Sequence, residues 1–217
     1  MNRISSFYAS SVGRKLWMGL TGFFLCSFLV LHLTINLFLF KADRGSTFDA
    51  YAEFMATYPL IRPLEIILFA GFLLHAVFGI WLWISNRRAR PVSYEVNHPY
   101  ENSTLASRTA FITGSFVLLF LIIHVNTFFV KSRFFPNGMP MSERVREAFH
   151  SPWYDMFYIV ALVFLAFHLK HGLQSAFQTF GLRTPAYRRL IDALGVLFWL
   201  LIPVCFAAMP LYFLWSH

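Results

Sequence analysis

The sequence predicts an all-α membrane protein, a bundle of five transmembrane helices at about 14–40, 63–87, 108–131, 153–180 and 190–215. Three observations predict it. The 217 residues are 58% hydrophobic and only 13% charged, about half the charged share of an ordinary soluble domain. The apolar residues gather into five runs, each about as long as the 20 residues a helix needs to cross a bilayer. The basic residues, which give a net charge of +8, fall mainly in the connectors between those runs. There they set topology, and they do not read as a nucleic-acid surface.

Taken in order, residues 1–15 space aromatic and small polar side chains up to Arg14 and Lys15, the pattern of a short interfacial segment. Residues 16–40 contain no Asp, Glu, Lys or Arg. That run is too long for a signal-peptide core and no A-x-A-like site follows it, so it is expected to stay in the mature protein. A mixed connector at 41–62 holds Asp43, Asp49, Glu53 and Pro59, and Pro63 follows it. The second run, 66–86, is closed by Arg87 and Arg88, and a polar connector with Pro91 and Pro99 leads to the third run at 109–130. Connector 131–152 is the most polar, with a turn at Asn137-Gly138 and a short amphipathic helix expected over 142–150. The fourth run, 156–182, is interrupted only by Lys170. The fifth, 193–217, carries Pro203 and Pro210, expected to kink it, which membrane helices tolerate when neighbours satisfy the freed carbonyls. Cys26 and Cys205 lie inside apolar runs and read as small buried hydrophobes. No repeat of 20–50 residues is present, so 1–217 reads as one domain.

Lys and Arg outside the runs divide 10 against 7 in favour of the side that carries the N-terminus. This bias predicts a multi-pass protein of the cell's inner (cytoplasmic) membrane, with its N-terminus in the cytoplasm.

Four of the five runs carry a deep histidine: His32, His75, His124 and His168. An ionisable side chain inside a bilayer is costly and usually faces the bundle interior with a function there. Because helix direction alternates, depth can be counted from the outer ends. His32 lies 9 residues before Lys41 and His124 lies 7 before Lys131, which puts both roughly 10–14 Å below the outer boundary at the helical rise. His75 lies 13 residues past Arg62 and His168 lies 15 past Trp153, or about 20–22 Å down. The four sort into two levels of two. His75 and His168 each have glycine at i+4, Gly79 and Gly172, which would let a flat macrocycle lie against the backbone. A single membrane histidine is explained by an interhelical hydrogen bond of about 1 kcal/mol, but independent hydrogen bonds need no common depth.

Two imidazole pairs at two levels suit two haem irons. With both axial positions filled, the chemistry indicated is electron transfer and not oxygen activation. There is no C-x-x-C-H sequence, so the haems would be non-covalent, of b type. Zinc fits less well, since the runs offer no carboxylate or thiolate set to complete a tetrahedron. His171 shares a face with His168 and is either the ligand in its place or a partner for a haem propionate. Lys170 is rotated off that face and reads as a side chain snorkelling toward the cytoplasmic headgroups. His98, His150 and His217 lie in connectors or at the terminus and take no role.

On stretch 13–36 (GRKLWMGLTGFFLCSFLVLHLTIN), the glycine-flanked His75, the run holding His124, and FHLKHGL at 167–173 followed by Gly181, the chain resembles a known family. This is the diheme cytochrome b membrane subunit of succinate dehydrogenase and fumarate reductase, in the type with a single large membrane subunit. The resemblance implies that the first ligand pairs with the third and the second with the fourth, and it favours His168 over His171. It also implies partners, a flavoprotein with FAD and an iron–sulfur protein, with menaquinone or ubiquinone as substrate. Some quinol-oxidising members carry a glutamate two residues before the fourth ligand, tied to transmembrane proton movement. Here that position is Ala166.

Quinone chemistry needs a proton donor or acceptor near the ring. Close to the outer pair, Glu53 and Glu65 are the candidates, with Arg62 to hold a carbonyl oxygen. Arg14, Lys15, Arg87 and Arg183 suit propionates or the docked subunit, and topology explains them equally well. The alternatives are a diheme cytochrome b of another membrane redox enzyme, of hydrogenase or formate dehydrogenase type, and a haem-free anchor or transporter.

Overall fold

The computed structural model describes residues 10–89 and 104–215. Five helices in it are long and apolar enough to cross a bilayer: Val12–Phe40, Ile61–Arg88, Ala110–Phe134, Pro152–Thr179 and Arg188–Trp215. Their boundaries follow local chemistry. Ser10 caps the first helix by accepting a hydrogen bond from the Gly13 amide at 3.1 Å. Arg87 and Arg88 occupy the last turn of the second span, where cations favour the helix dipole. Pro152 opens the fourth, at the position where a missing N–H costs nothing. Ile66, Leu73 and Ile122 are 61–71% exposed on the outer faces of the spans. Apolar surface on that scale is stable against lipid and not against water. The chain is a multi-pass, all-helical membrane protein.

The first four spans form a ring in which each packs on its sequence neighbour and the fourth closes on the first; the fifth lies outside, mainly against the fourth. The first and third spans therefore stand on one diagonal, and the second and fourth on the other. We call the end at Ser10 the N-terminal face and the opposite end the far face.

The far face carries two further helices. Met141–Ala148 falls where the amphipathic pattern predicts one. Ser46–Thr57 was not predicted from its mixed composition. A local device starts it: the Asp43 carboxylate accepts from the Gly45 and Thr47 amides at 3.0 and 3.1 Å and from the Thr47 hydroxyl. Gly45, at φ +92°, makes the left-handed turn this needs. The two helices are joined through Asp49, which accepts from the Ser142 amide at 2.7 Å and from its hydroxyl at 2.6 Å.

Two spans contain wide, π-type turns. One covers Val125–Val130, starting directly after His124, and the other covers Leu197–Leu201, just before Pro203. Pro203 cannot donate to the Trp199 carbonyl, and the wide turn absorbs that lost bond. Pro210 lies inside the last helical segment and is fully buried. Cys26 is buried, Cys205 is half-buried, and both are free thiols. Residues 11–15 already belong to the first helix; the rest of the expected interfacial segment, His98 and His217 lie outside the described residues.

Candidate functional site

The two diagonals of the ring are each bridged by a pair of imidazoles. His32 and His124, from the first and third spans, have ring centroids 5.7 Å apart with planes at 85°. His75 and His168, from the second and fourth, have centroids 6.1 Å apart with planes at 79°. It is His168, and not His171, whose ring meets His75. His171 is half-buried one turn along.

The surroundings of the two pairs differ. Around the first are aromatic rings: Phe28 stacks on His32 at 5.3 Å, Phe206 of the fifth span lies 5.7 Å from it, and Phe120 and Phe128 flank His124 at 5.5 and 5.1 Å. Around the second, two glycines take the histidine edges. A Cβ on Gly22 would stand 3.4 Å from His75 Cε1, and one on Gly114 would stand 3.2 Å from His168 Cε1. Each inner ring thus presses its Nδ1–Cε1 edge onto the backbone of a neighbouring helix.

Hydrogen bonds orient the rings. Thr21 Oγ1 lies 3.2 Å from His75 Nδ1 and 2.9 Å from the Trp17 carbonyl. A threonine hydroxyl has one proton. Given to the Trp17 carbonyl, that proton leaves the oxygen only an acceptor toward His75, so Nδ1 carries the imidazole proton and Nε2 keeps the lone pair. Tyr158 Oη lies 2.6 Å from His124 Nδ1. Asn36 Nδ2 sits 3.5 Å from His32 Nδ1, a weak contact, and donates to the His32 carbonyl at 2.8 Å. His168 Nδ1 is buried with no partner in hydrogen-bond geometry, although the Ala110 backbone bears on that ring.

Thr21, Gly22, Gly114 and Tyr158 were not singled out by sequence. A signal existed for two of them: Gly22 and Gly114 interrupt otherwise bulky apolar runs. Gly172 has no heavy atom within 4 Å of a Cβ position, and Gly79 has only the Met18 methyl, at 3.4 Å.

The remaining polar residues divide between the faces. Arg62 and Glu65, at the far-face start of the second span, form an ion pair at 2.8 Å with side chains 28% and 24% exposed. Glu53 is exposed on the helix Ser46–Thr57 and is not joined to them. At the N-terminal face, Arg14 donates to Ser85 at 3.0 Å and covers Trp81, Arg87 covers Trp83, and Arg183 pairs with Asp192 at 3.6 Å. Lys170 gains a partner that the snorkelling expectation did not name. Its ammonium lies 4.5 Å over the Trp199 ring, in a cavity of about 250 Å³ shared with Gln174, Arg183 and Asp192. The indole face supplies a cation–π contact that headgroup contact alone would not.

Compared with known proteins, the chain is similar to the succinate dehydrogenase cytochrome b558 subunit of Bacillus subtilis (strain 168), at 30% identity over 168 residues, 75% of this chain and 77% of the relative. No family model matches it, and no solved structure matches it significantly.

Proposed function

The chain belongs to the family of succinate dehydrogenase cytochrome b subunits, and we propose that it is the haem-carrying membrane anchor of a succinate:quinone oxidoreductase or quinol:fumarate reductase. In this reading His32 and His124 hold one non-covalent b haem, and His75 and His168 hold the other. A bound haem of this kind supplies a reversible one-electron iron couple, and two imidazoles leave its iron no open position. The anchor carries electrons between an iron–sulfur protein docked at the N-terminal, cytoplasmic face and menaquinone or ubiquinone in the membrane. A flavoprotein with FAD completes the assembly.

The observation that carries this reading is the bridging of both diagonals by imidazoles at metal-sharing separation. Taking the zinc–imidazole distance of about 2.0–2.1 Å as representative of first-row metals, two rings on opposite sides of one ion have centroids about 6.3 Å apart. The observed separations are 5.7 and 6.1 Å. Among the described residues no three His, Cys, Asp or Glu cluster as a closed metal site would need, whereas a porphyrin asks the protein for two ligands only. Gly172 is exposed, and the open space over its Cβ position would admit a flat group lying against the helix.

The residues divide the work. Thr21 and Tyr158 hold the Nδ1 edges of His75 and His124, which fixes ring orientation and leaves Nε2 as the nitrogen that would meet a metal, as outer hydrogen bonds do in metal sites generally. Phe28, Phe120, Phe128 and Phe206 keep water from the pair nearer the far face. For quinone, Glu65 is the proton-exchanging candidate, with Arg62 beside it as hydrogen-bond donor. Glu53 is the more exposed alternative.

The test is haem quantitation and low-temperature spectroscopy on the purified protein. Two b haems per chain are expected, and the near-perpendicular ring planes predict large-gmax low-spin ferric signals. His75→Ala or His168→Ala should remove one haem and leave the other. A chain without a Soret band, or loss of neither haem in those variants, overturns the reading.

A further inference from the structure

On the far face, outside the helix ring, the third span and the segment through the helix Met141–Ala148 enclose an open cleft of about 440 Å³. Its floor is Arg144, only 8% exposed, whose Nη2 donates to Asn137 Oδ1 at 2.9 Å. The Arg144 Nε is buried without a partner, and among the described residues this guanidinium makes no ion pair. Burying a cation without an anion is costly. Asn126, Lys131 and Asn137 add donors to the walls, Glu147 is the single acid there, and the lining is net positive.

The cleft is separate from the imidazole pairs. Asn126 stands two residues after His124, a step that carries a side chain to the opposite side of a helix. The outward direction leads to lipid: Leu119 and Ile122, seven and four residues before Asn126 on its face, are 49% and 61% exposed. Phe134 and Phe135, at the end of the span, are 64% and 70% exposed. A buried cation thus sits at the head of an apolar track that ends where the span leaves the bilayer.

We infer that this cleft binds the phosphate headgroup of an anionic phospholipid. Arg144 and Lys131 meet the phosphate, with arginine's fork suited to two of its oxygens, and the acyl chains follow Leu119 and Ile122. The inference is independent of the haem assignment.

Native mass spectrometry of the purified full chain, titrated with phosphatidylglycerol or phosphatidylcholine, tests it. The wild type should bind phosphatidylglycerol preferentially, and Arg144→Gln should weaken that binding about tenfold, the scale of one charge-assisted hydrogen bond. Should Arg144→Gln fail to fold, Lys131→Gln and Asn126→Leu, at exposed positions, carry the test and should each weaken binding in the same direction. Haem content should not change in these two variants. Equal binding of the two lipids, or phosphatidylglycerol binding unaffected by the substitutions, overturns the inference. So does stabilisation by inorganic phosphate alone with no lipid retained, or displacement of the lipid by a short-chain quinone.

Discussion

Replacing Thr21 by valine keeps the shape of the side chain and removes one oxygen, so its effect isolates the hydrogen bond to His75. In the wild type the Nδ1 proton is shared with Oγ1 at 3.2 Å, while Oγ1 gives its own proton to the Trp17 carbonyl at 2.9 Å. A proton shared outward from Nδ1 makes Nε2 a stronger donor to a metal. Under the proposed ligation it would therefore favour the ferric state and lower the midpoint potential of the haem that His75 would hold. A net hydrogen bond is worth about 0.5–1.5 kcal/mol. At about 59 mV per tenfold for a one-electron couple, that corresponds to a rise of roughly 20–60 mV when it is lost. The Nδ1–H left buried without an acceptor should also cost about 1–3 kcal/mol of stability. Under the proposed two-haem reading, an optical redox titration of the intact complex follows one midpoint for each imidazole pair. One midpoint should rise by that amount and the other should stay, while Thr21→Ser should restore the wild-type value. Two unchanged midpoints, or movement of both, would refute the tautomer assigned to His75.

If His124 offers Nε2 to iron, its Nδ1 carries the proton and donates to Tyr158 Oη, 2.6 Å away, so Tyr158→Phe should raise the other midpoint by a similar amount, read in the same titration. Gly114→Val should lower haem content by pushing on His168, since even a Cβ there stands 3.2 Å from the ring. Gly172→Val meets open space, so it should leave apoprotein helicity, followed by circular dichroism, unchanged while haem content falls. On the far face, the Thr47 hydroxyl foremost, then the Gly45 and Thr47 amides and Lys41, hold the Asp43 carboxyl below the usual carboxylate range. A depressed carboxyl contributes stability above its unfolded pKa and loses it as pH falls through the folded one. Asp43→Asn should therefore lower the thermal midpoint at neutral pH, with the gap from wild type closing in acid below the ordinary carboxylate range.

The five spans were legible because a bilayer imposes a length and a polarity on any helix that crosses it, and the runs from 16–40 onward meet both. Counting residues from the connectors also placed His32 level with His124 and His75 level with His168, since an α-helix rises by a fixed step. The helix Ser46–Thr57 was not legible, because its start depends on an aspartate reaching back over a left-handed glycine and its docking depends on Asp49 meeting Ser142 across 93 residues. The i+4 glycines could be read as a local pattern on one helix. Gly22 and Gly114 are visible as glycines in apolar runs, but each serves a histidine on a neighbouring helix, and only tertiary packing names that partner.

The fifth span carries no histidine, yet the pair nearer the far face depends on it from two sides. Phe206 lies against the His32 ring at 5.7 Å. Met209 and Phe213 join Tyr158 in one buried cluster, and Tyr158 in turn holds His124. Residues 206, 209 and 213 recur at helical spacing, so one face of one helix braces both rings. Directing that face inward falls to the wide turn at Leu197–Leu201, ahead of Pro203. The same stretch carries Trp199, which receives Lys170. A regular helix through 197–201 would rotate Phe206 and Phe213 away from the first and fourth spans relative to Trp199. The proline and its wide turn are thus the feature through which a span with no histidine sets the orientation of two imidazoles.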